Sequence, residues 1–80
     1  MKIIYSKQAA KSLERIDAPT RQRIRNAIAG IPGGDIKQLQ GHTALYRLRV
    51  GSWRVVFSYP DDETILIERV SPRGGAYKGV

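Results

Sequence analysis

The side chains that invite a chemical reading are arginines. Arg47, Arg49 and Arg54 flank a Gly51-Ser52 pair, and Arg73 stands four residues ahead of Tyr77. A guanidinium offers a rigid fork of donors matched to phosphate and keeps its charge near neutral pH. Set beside a phenol, such groups suit metal-free attack of an RNA 2′-hydroxyl on its own phosphodiester. That reaction needs the hydroxyl deprotonated, the phosphorane charge stabilised and the leaving 5′-oxygen protonated. Arginines serve the second need. Tyr77 would serve the first if nearby guanidiniums lowered its pKa, and substrate binding itself would align the 2′-hydroxyl for in-line attack.

Other chemistries find little to work with. The acids form no cluster with metal-site geometry and there is a single histidine, so neither a metal nor any other cofactor is expected. His42, in Gly41-His42-Thr43, reads as a solvated loop residue rather than a general base. Ser6, Ser12, Ser52, Ser58 and Ser71 have no His-carboxylate partner in view, which removes support for a hydrolase triad. The absence of cysteine excludes a disulfide scaffold and a thiol nucleophile and fits a reducing, cytoplasmic location.

Charge narrows the partner. Fourteen Lys and Arg against seven Asp and Glu give a net charge of +7, and three of those acids sit together at Asp61, Asp62 and Glu63. The strongly positive remainder would attract phosphates, an anionic lipid surface or an acidic protein; the plain alternative is a charge that serves solubility alone. No apolar run approaches the roughly 18 residues of a membrane span, and the segment from Met1 to Lys7 turns polar too soon for a signal peptide. Eighty residues, 41% hydrophobic and 26% charged, predict a single domain over 1–80. So short a chain buries only about 60% of its unfolded surface, leaving room for a partner to add stability.

These side chains must be held by something, and the periodicity says what. Residues 2–5 read as a strand, Ser6 as an N-cap, and Ala9, Ala10, Leu13 and Ile16 as the apolar stripe of a first helix from Lys7 to Ile16. Asp17-Ala18-Pro19 stops that helix and starts a second, striped by Ile24, Ala27, Ile28 and Ile31 and ended by Gly30, Pro32, Gly33 and Gly34. From Leu45 to Tyr59 the period changes to two, with Gly51-Ser52 placed for a type II′ hairpin; Pro60 to Glu63 turns into a third run, Thr64 to Ser71. The predicted fold is a small α+β domain in the order β-α-α-β-β-β, its N-terminal helical hairpin packed on one face of an antiparallel sheet.

A tight turn at Gly51-Ser52 sets the register: Val50 opposite Trp53, Arg49 opposite Arg54, Leu48 opposite Val55, Arg47 opposite Val56 and Tyr46 opposite Phe57. Directly opposed residues share a face. Tyr46, Leu48, Val50, Trp53, Val55, Phe57 and Tyr59 then form the core face, and Arg47, Arg49 and Arg54 gather on the other. Like charges so placed repel and cost stability, which points to an anion site; the competing reading is a solvated face, or pairing with Asp61, Asp62, Glu63 or Glu68. The third run admits two registers, Ile65/Ile67 inward or Leu66/Val70 inward, bringing either Glu68 or Arg69 to the arginine face. Gly74-Gly75 is a weak phosphate-loop signal without a helix start behind it. Tyr77 reads either as an aromatic plug or as a base-stacking, proton-handling group.

The segment Leu39-Gln40-Gly41, the stretch Leu45-Tyr46-Arg47-Leu48-Arg49-Val50-Gly51-Ser52-Trp53-Arg54-Val55-Val56-Phe57, the run Ile65 to Val70 and the closing Arg73 and Tyr77 resemble the RelE/ParE superfamily of type II toxins. The resemblance spans nearly the whole chain and implies the RelE-like fold. RelE-like members are small basic ribonucleases that cut mRNA in the ribosomal A site, held inactive by a cognate acidic antitoxin; ParE-like members share the fold and inhibit DNA gyrase. It implies that Arg47 and Arg49 stand where relatives carry basic groups around the scissile phosphate, that Arg54 steadies the transition state, and that Arg73 and Tyr77 supply the C-terminal arginine and the stacking or proton-abstracting tyrosine. Many relatives end in H-R-R-x-x-Y. Here Pro72 and Gly74 replace the histidine and the second arginine, so the general acid is left unassigned.

Overall fold

The computed structural model describes residues 2–39 and 44–72. The chain runs β1 (Lys2–Tyr5), α1 (Lys7–Glu14), α2 (Ala18–Ala29), β2 (Asp35–Gln38), β3 (Tyr46–Val50), β4 (Trp53–Asp61) and β5 (Thr64–Pro72). Both helix starts are fixed by side-chain caps. Ser6 Oγ accepts from the Ala9 N–H at 3.0 Å and donates to the Glu68 carbonyl at 2.8 Å, tying α1 to β5. Asp17 accepts the Thr20 N–H and hydroxyl at 3.2 and 2.9 Å, and these bonds hold its carboxyl below the usual carboxylate range. α1 stops at Glu14, short of the expected Ile16. The amides of Arg15 and Ile16 bond back only three residues, to Ser12 and Leu13, which tightens the last turn.

The α+β class and the helical hairpin are as expected; the sheet is larger and mixed. Five strands lie in the order β1-β5-β4-β3-β2, with β1 parallel to β5 and the other pairs antiparallel. The helical hairpin carries the chain from β1 to β2 at the opposite edge, and three antiparallel steps through β3 and β4 return it to β5, which lies beside β1 and runs the same way. The additional strand, β2, pairs with β3, Asp35 opposite Arg49 and Lys37 opposite Arg47. Gly34 leads into it at φ +103°, where a Cβ would come within 3.1 Å of Leu48 Cδ1, so glycine is required on two counts.

The β3–β4 pairing reproduces the predicted register at all five pairs. Gly51 has φ +59° while no other residue type among those described has positive φ, the type II′ combination rather than I′. The core fills the space between helices and sheet: Leu13, Ile24 and Ile28 from the helices meet Leu48, Val55, Phe57, Ile65 and Ile67, all essentially without solvent contact. Tyr46, Phe57 and Tyr59 close one end as an aromatic trio with ring centroids 5.5–5.7 Å apart. No helix among the described residues is long and apolar enough to cross a membrane.

Candidate anion site on the open face of the sheet

The sheet face away from the helices is built in rungs, because opposed residues on neighbouring strands point the same way. One rung reads Asp35, Arg49, Arg54, Ser71 across β2, β3, β4 and β5; the next reads Lys37, Arg47, Val56, Arg69. Arg47, Arg49 and Arg54 therefore share one face as predicted, with neighbouring strands only about 4.8 Å apart. Arg73 and Tyr77 lie outside the described residues, as does His42.

The first alternative for β5, Ile65 and Ile67 inward, holds for the start of the strand, and of the second only Val70 faces inward, Leu66 lying opposite Ser58. A register shift between Val56 and Phe57 leaves Glu68 as the extra residue of a β-bulge in β5, so that Ile65 and Ile67 face inward before it and Val70 faces inward after it. Arg69 then lies opposite Val56, and Glu68 reaches the same side to accept a hydrogen bond from Ser58 Oγ at 2.9 Å. A period-two reading has no place for one extra residue, so sequence reasoning had to choose where the chain does not.

The three arginines are held differently. Arg47 and Arg54 are nearly buried, at 6% and 8% exposure, whereas Arg49 is exposed. Arg47 Nη1 lies 3.5 Å from Asp35 Oδ1 and donates to the Asp35 carbonyl at 3.4 Å; Arg49 Nε lies 3.6 Å from Asp35 Oδ2. One carboxylate thus serves two guanidiniums, and positive charge is left in excess. The acids considered as partners from sequence lie elsewhere. Asp61, Asp62 and Glu63 form the β4–β5 turn beside Lys2, about 20 Å along the strand from Arg54 by strand rise. There Asp61 accepts the Glu63 N–H at 2.8 Å, which holds its carboxyl low. Glu68 bonds Ser58. Asp35 was missed because the strand that carries it, Asp-Ile-Lys-Gln, has one apolar residue and no visible alternation. Lys37 was missed with it, whereas Arg69 is one of the two residues the sequence offered for this face.

Opposite Arg54, Ser71 Oγ is buried and has no hydrogen-bond partner among the described residues. Among those residues no three His, Cys, Asp or Glu side chains gather as metal ligands. Among the described residues the face combines guanidinium forks, a hydroxyl without a partner and excess positive charge, a set whose chemistry is suited to an oxyanion.

Known proteins resemble this chain in sequence and fold. Residues 3–77 match the family model of the ParE toxin of the type II toxin-antitoxin system, parDE. Toxin RelE3 of Methanocaldococcus jannaschii is 31% identical over 85 residues, with 96% of each chain covered. RelE1 of the same organism is 47% identical over 45 residues, spanning 55% of this chain and half of that protein. The RelB-RelE antitoxin-toxin complex from Methanococcus jannaschii contains a chain that superposes with a TM-score of 0.79 at 26% identity, covering 95% of this chain and 96% of that one. A model matched from β1 to beyond β5, a full-length relative and a full-length structural match agree: this chain belongs to the RelE/ParE superfamily of type II toxin–antitoxin toxins.

Proposed function

We propose that this toxin is a ribosome-dependent mRNA endoribonuclease that inhibits translation in the cytoplasm by cutting mRNA in the ribosomal A site. The observation that carries the reading is the convergence of Arg47, Arg49 and Arg54 on the sheet face away from the helices, with a single carboxylate between two of them. In the reaction the RNA 2′-oxygen attacks the adjacent phosphorus, the bond to the 5′-oxygen breaks, and a 2′,3′-cyclic phosphate and a 5′-hydroxyl result. Arg47 and Arg49 bind the scissile phosphate and Arg54 neutralises charge that grows on the phosphorane, where a fixed donor counts most. Arg73 completes the clamp. Tyr77 stacks on a base or takes the 2′-hydroxyl proton, and the proton for the 5′-oxygen comes from a group still to be identified. No metal or other cofactor enters.

RelE relatives solved as complexes with RelB support a cognate antitoxin as the protein partner. An acidic antitoxin segment lying over the arginine face would match its charge. A second reading is favoured by the family model, whose description names ParE: a gyrase inhibitor with no chemistry of its own. Primer-extension mapping of transcripts after brief induction separates the two. Cuts within codons with normal DNA supercoiling are expected; DNA breaks with intact transcripts would establish the gyrase reading instead.

A further inference from the structure

We infer that Asp35 is a positioning residue, whose carboxylate on β2 aligns Arg47 and Arg49 as a pair before any phosphate arrives; this rests on the phosphate-binding reading of the open face. Asp35 stands one strand away from both arginines, directly opposite Arg49, and reaches each with a different oxygen: Oδ1 to Arg47 and Oδ2 to Arg49. Two guanidiniums that would otherwise repel are thus turned toward one point.

The distances show a tether rather than a clamp. At 3.5 and 3.6 Å both contacts are longer than the roughly 2.7–2.9 Å of a tight charge-assisted hydrogen bond. Neither is bidentate. Arg49 is held through Nε, and among the described residues its two terminal nitrogens carry no other bond. Arg47 is held through Nη1 alone. The terminal nitrogens of Arg49, whose side chain is 38% exposed, therefore stay available to an incoming anion while the direction of both forks is set. The burial is asymmetric in the same sense: the Arg47 side chain is 8% exposed and Asp35 49%, so the anchor lies at the solvent edge and the aligned group inside. Backbone geometry reinforces the placement, since Gly34 at φ +103° fits against Leu48 and starts the strand one residue before Asp35.

The test uses Asp35→Asn and Asp35→Glu in the full-length chain, with two independent readouts. In the free protein, the Arg49 Nε–H resonance by NMR should show slowed solvent exchange that Asn abolishes and Glu largely restores. With a single-stranded RNA oligonucleotide, Asn should tighten binding several-fold at low salt, because a negative charge has left the site. Cleavage per bound ribosomal complex should nevertheless fall by about 10–100-fold, the cost of ångström-scale misplacement of a reacting group. Tighter binding with slower turnover, rescued by Glu, is the signature of positioning. An Arg49 resonance indifferent to Asn, unchanged turnover, or joint loss of binding and turnover would each overturn the proposal. Were the parent protein to cleave nothing on ribosomes, the nuclease reading would fall, while the resonance and binding measurements would still decide whether Asp35 sets the pair.

Discussion

The two faces of the sheet are made by alternate residues of the same strands, yet they obey different rules. On the covered face Leu48, Val55, Phe57 and Ile67 meet only apolar neighbours and lose essentially all contact with water. On the open face Arg49 stands directly opposite Arg54, one carboxylate answers two cations, and a buried serine hydroxyl lacks a partner among the described residues. The first arrangement stabilises; the second costs stability through like-charge repulsion and an unmet hydrogen bond. The comparison teaches that burial on one side fixes the backbone firmly enough for the other side to hold a charge pattern no isolated sheet would choose.

That contrast can be broken at its strongest point first. Phe57→Ala should remove about 3–5 kcal/mol of stability and shift or abolish the urea unfolding transition, because a fully buried ring would leave a cavity. Arg54→Lys should leave the fold intact by circular dichroism and lower cleavage by about 100-fold or more, since an ammonium keeps the charge but loses the fork; Tyr77→Phe should relieve growth inhibition in the same folded background. If both variants were as toxic as the parent, the open face would have no part in the activity. A smaller effect tests the link between helix layer and sheet. Ser6→Ala removes the α1 cap and its bond to the Glu68 carbonyl and should cost about 1 kcal/mol in the same urea assay, with cleavage kept. The smallest concerns pH. Asp17 titrates below its usual 3.8 because the folded state bonds its charged form, so its contribution is present above that value and fades as pH falls through the lowered one. Asp17→Asn should flatten that acid limb of the stability profile.

How much of this was legible in the chain depends on how local each signal is. Ser6, Pro19 and Gly51 act within a few residues, and the caps and the hairpin register fall where their chemistry puts them. The sharing of one face by Arg47, Arg49 and Arg54 followed from that single turn. β2 was not legible, because Asp-Ile-Lys-Gln acquires strand structure only by pairing with β3, and with it went the identity of the arginines' partner. The parallel pairing of β1 likewise comes from the whole path through the helices and three strands back to β5, a property of the assembled layers rather than of residues 2–5. The resemblance named the family, but the shared carboxylate required coordinates.

The β-bulge in β5 has one more effect. One surplus residue reverses the parity of everything beyond it, so that Ser71 rather than Val70 stands against Arg54. Straightening the strand with every residue kept would bring Val70 against Arg54 and Arg69 against Val55, placing an isopropyl group beside the guanidinium and a charged side chain in the oil, whereas deleting Glu68 would remove the bulge and leave Ser71 where it is. The bulge thus decides which side chain borders Arg54, independently of any change in the arginines themselves.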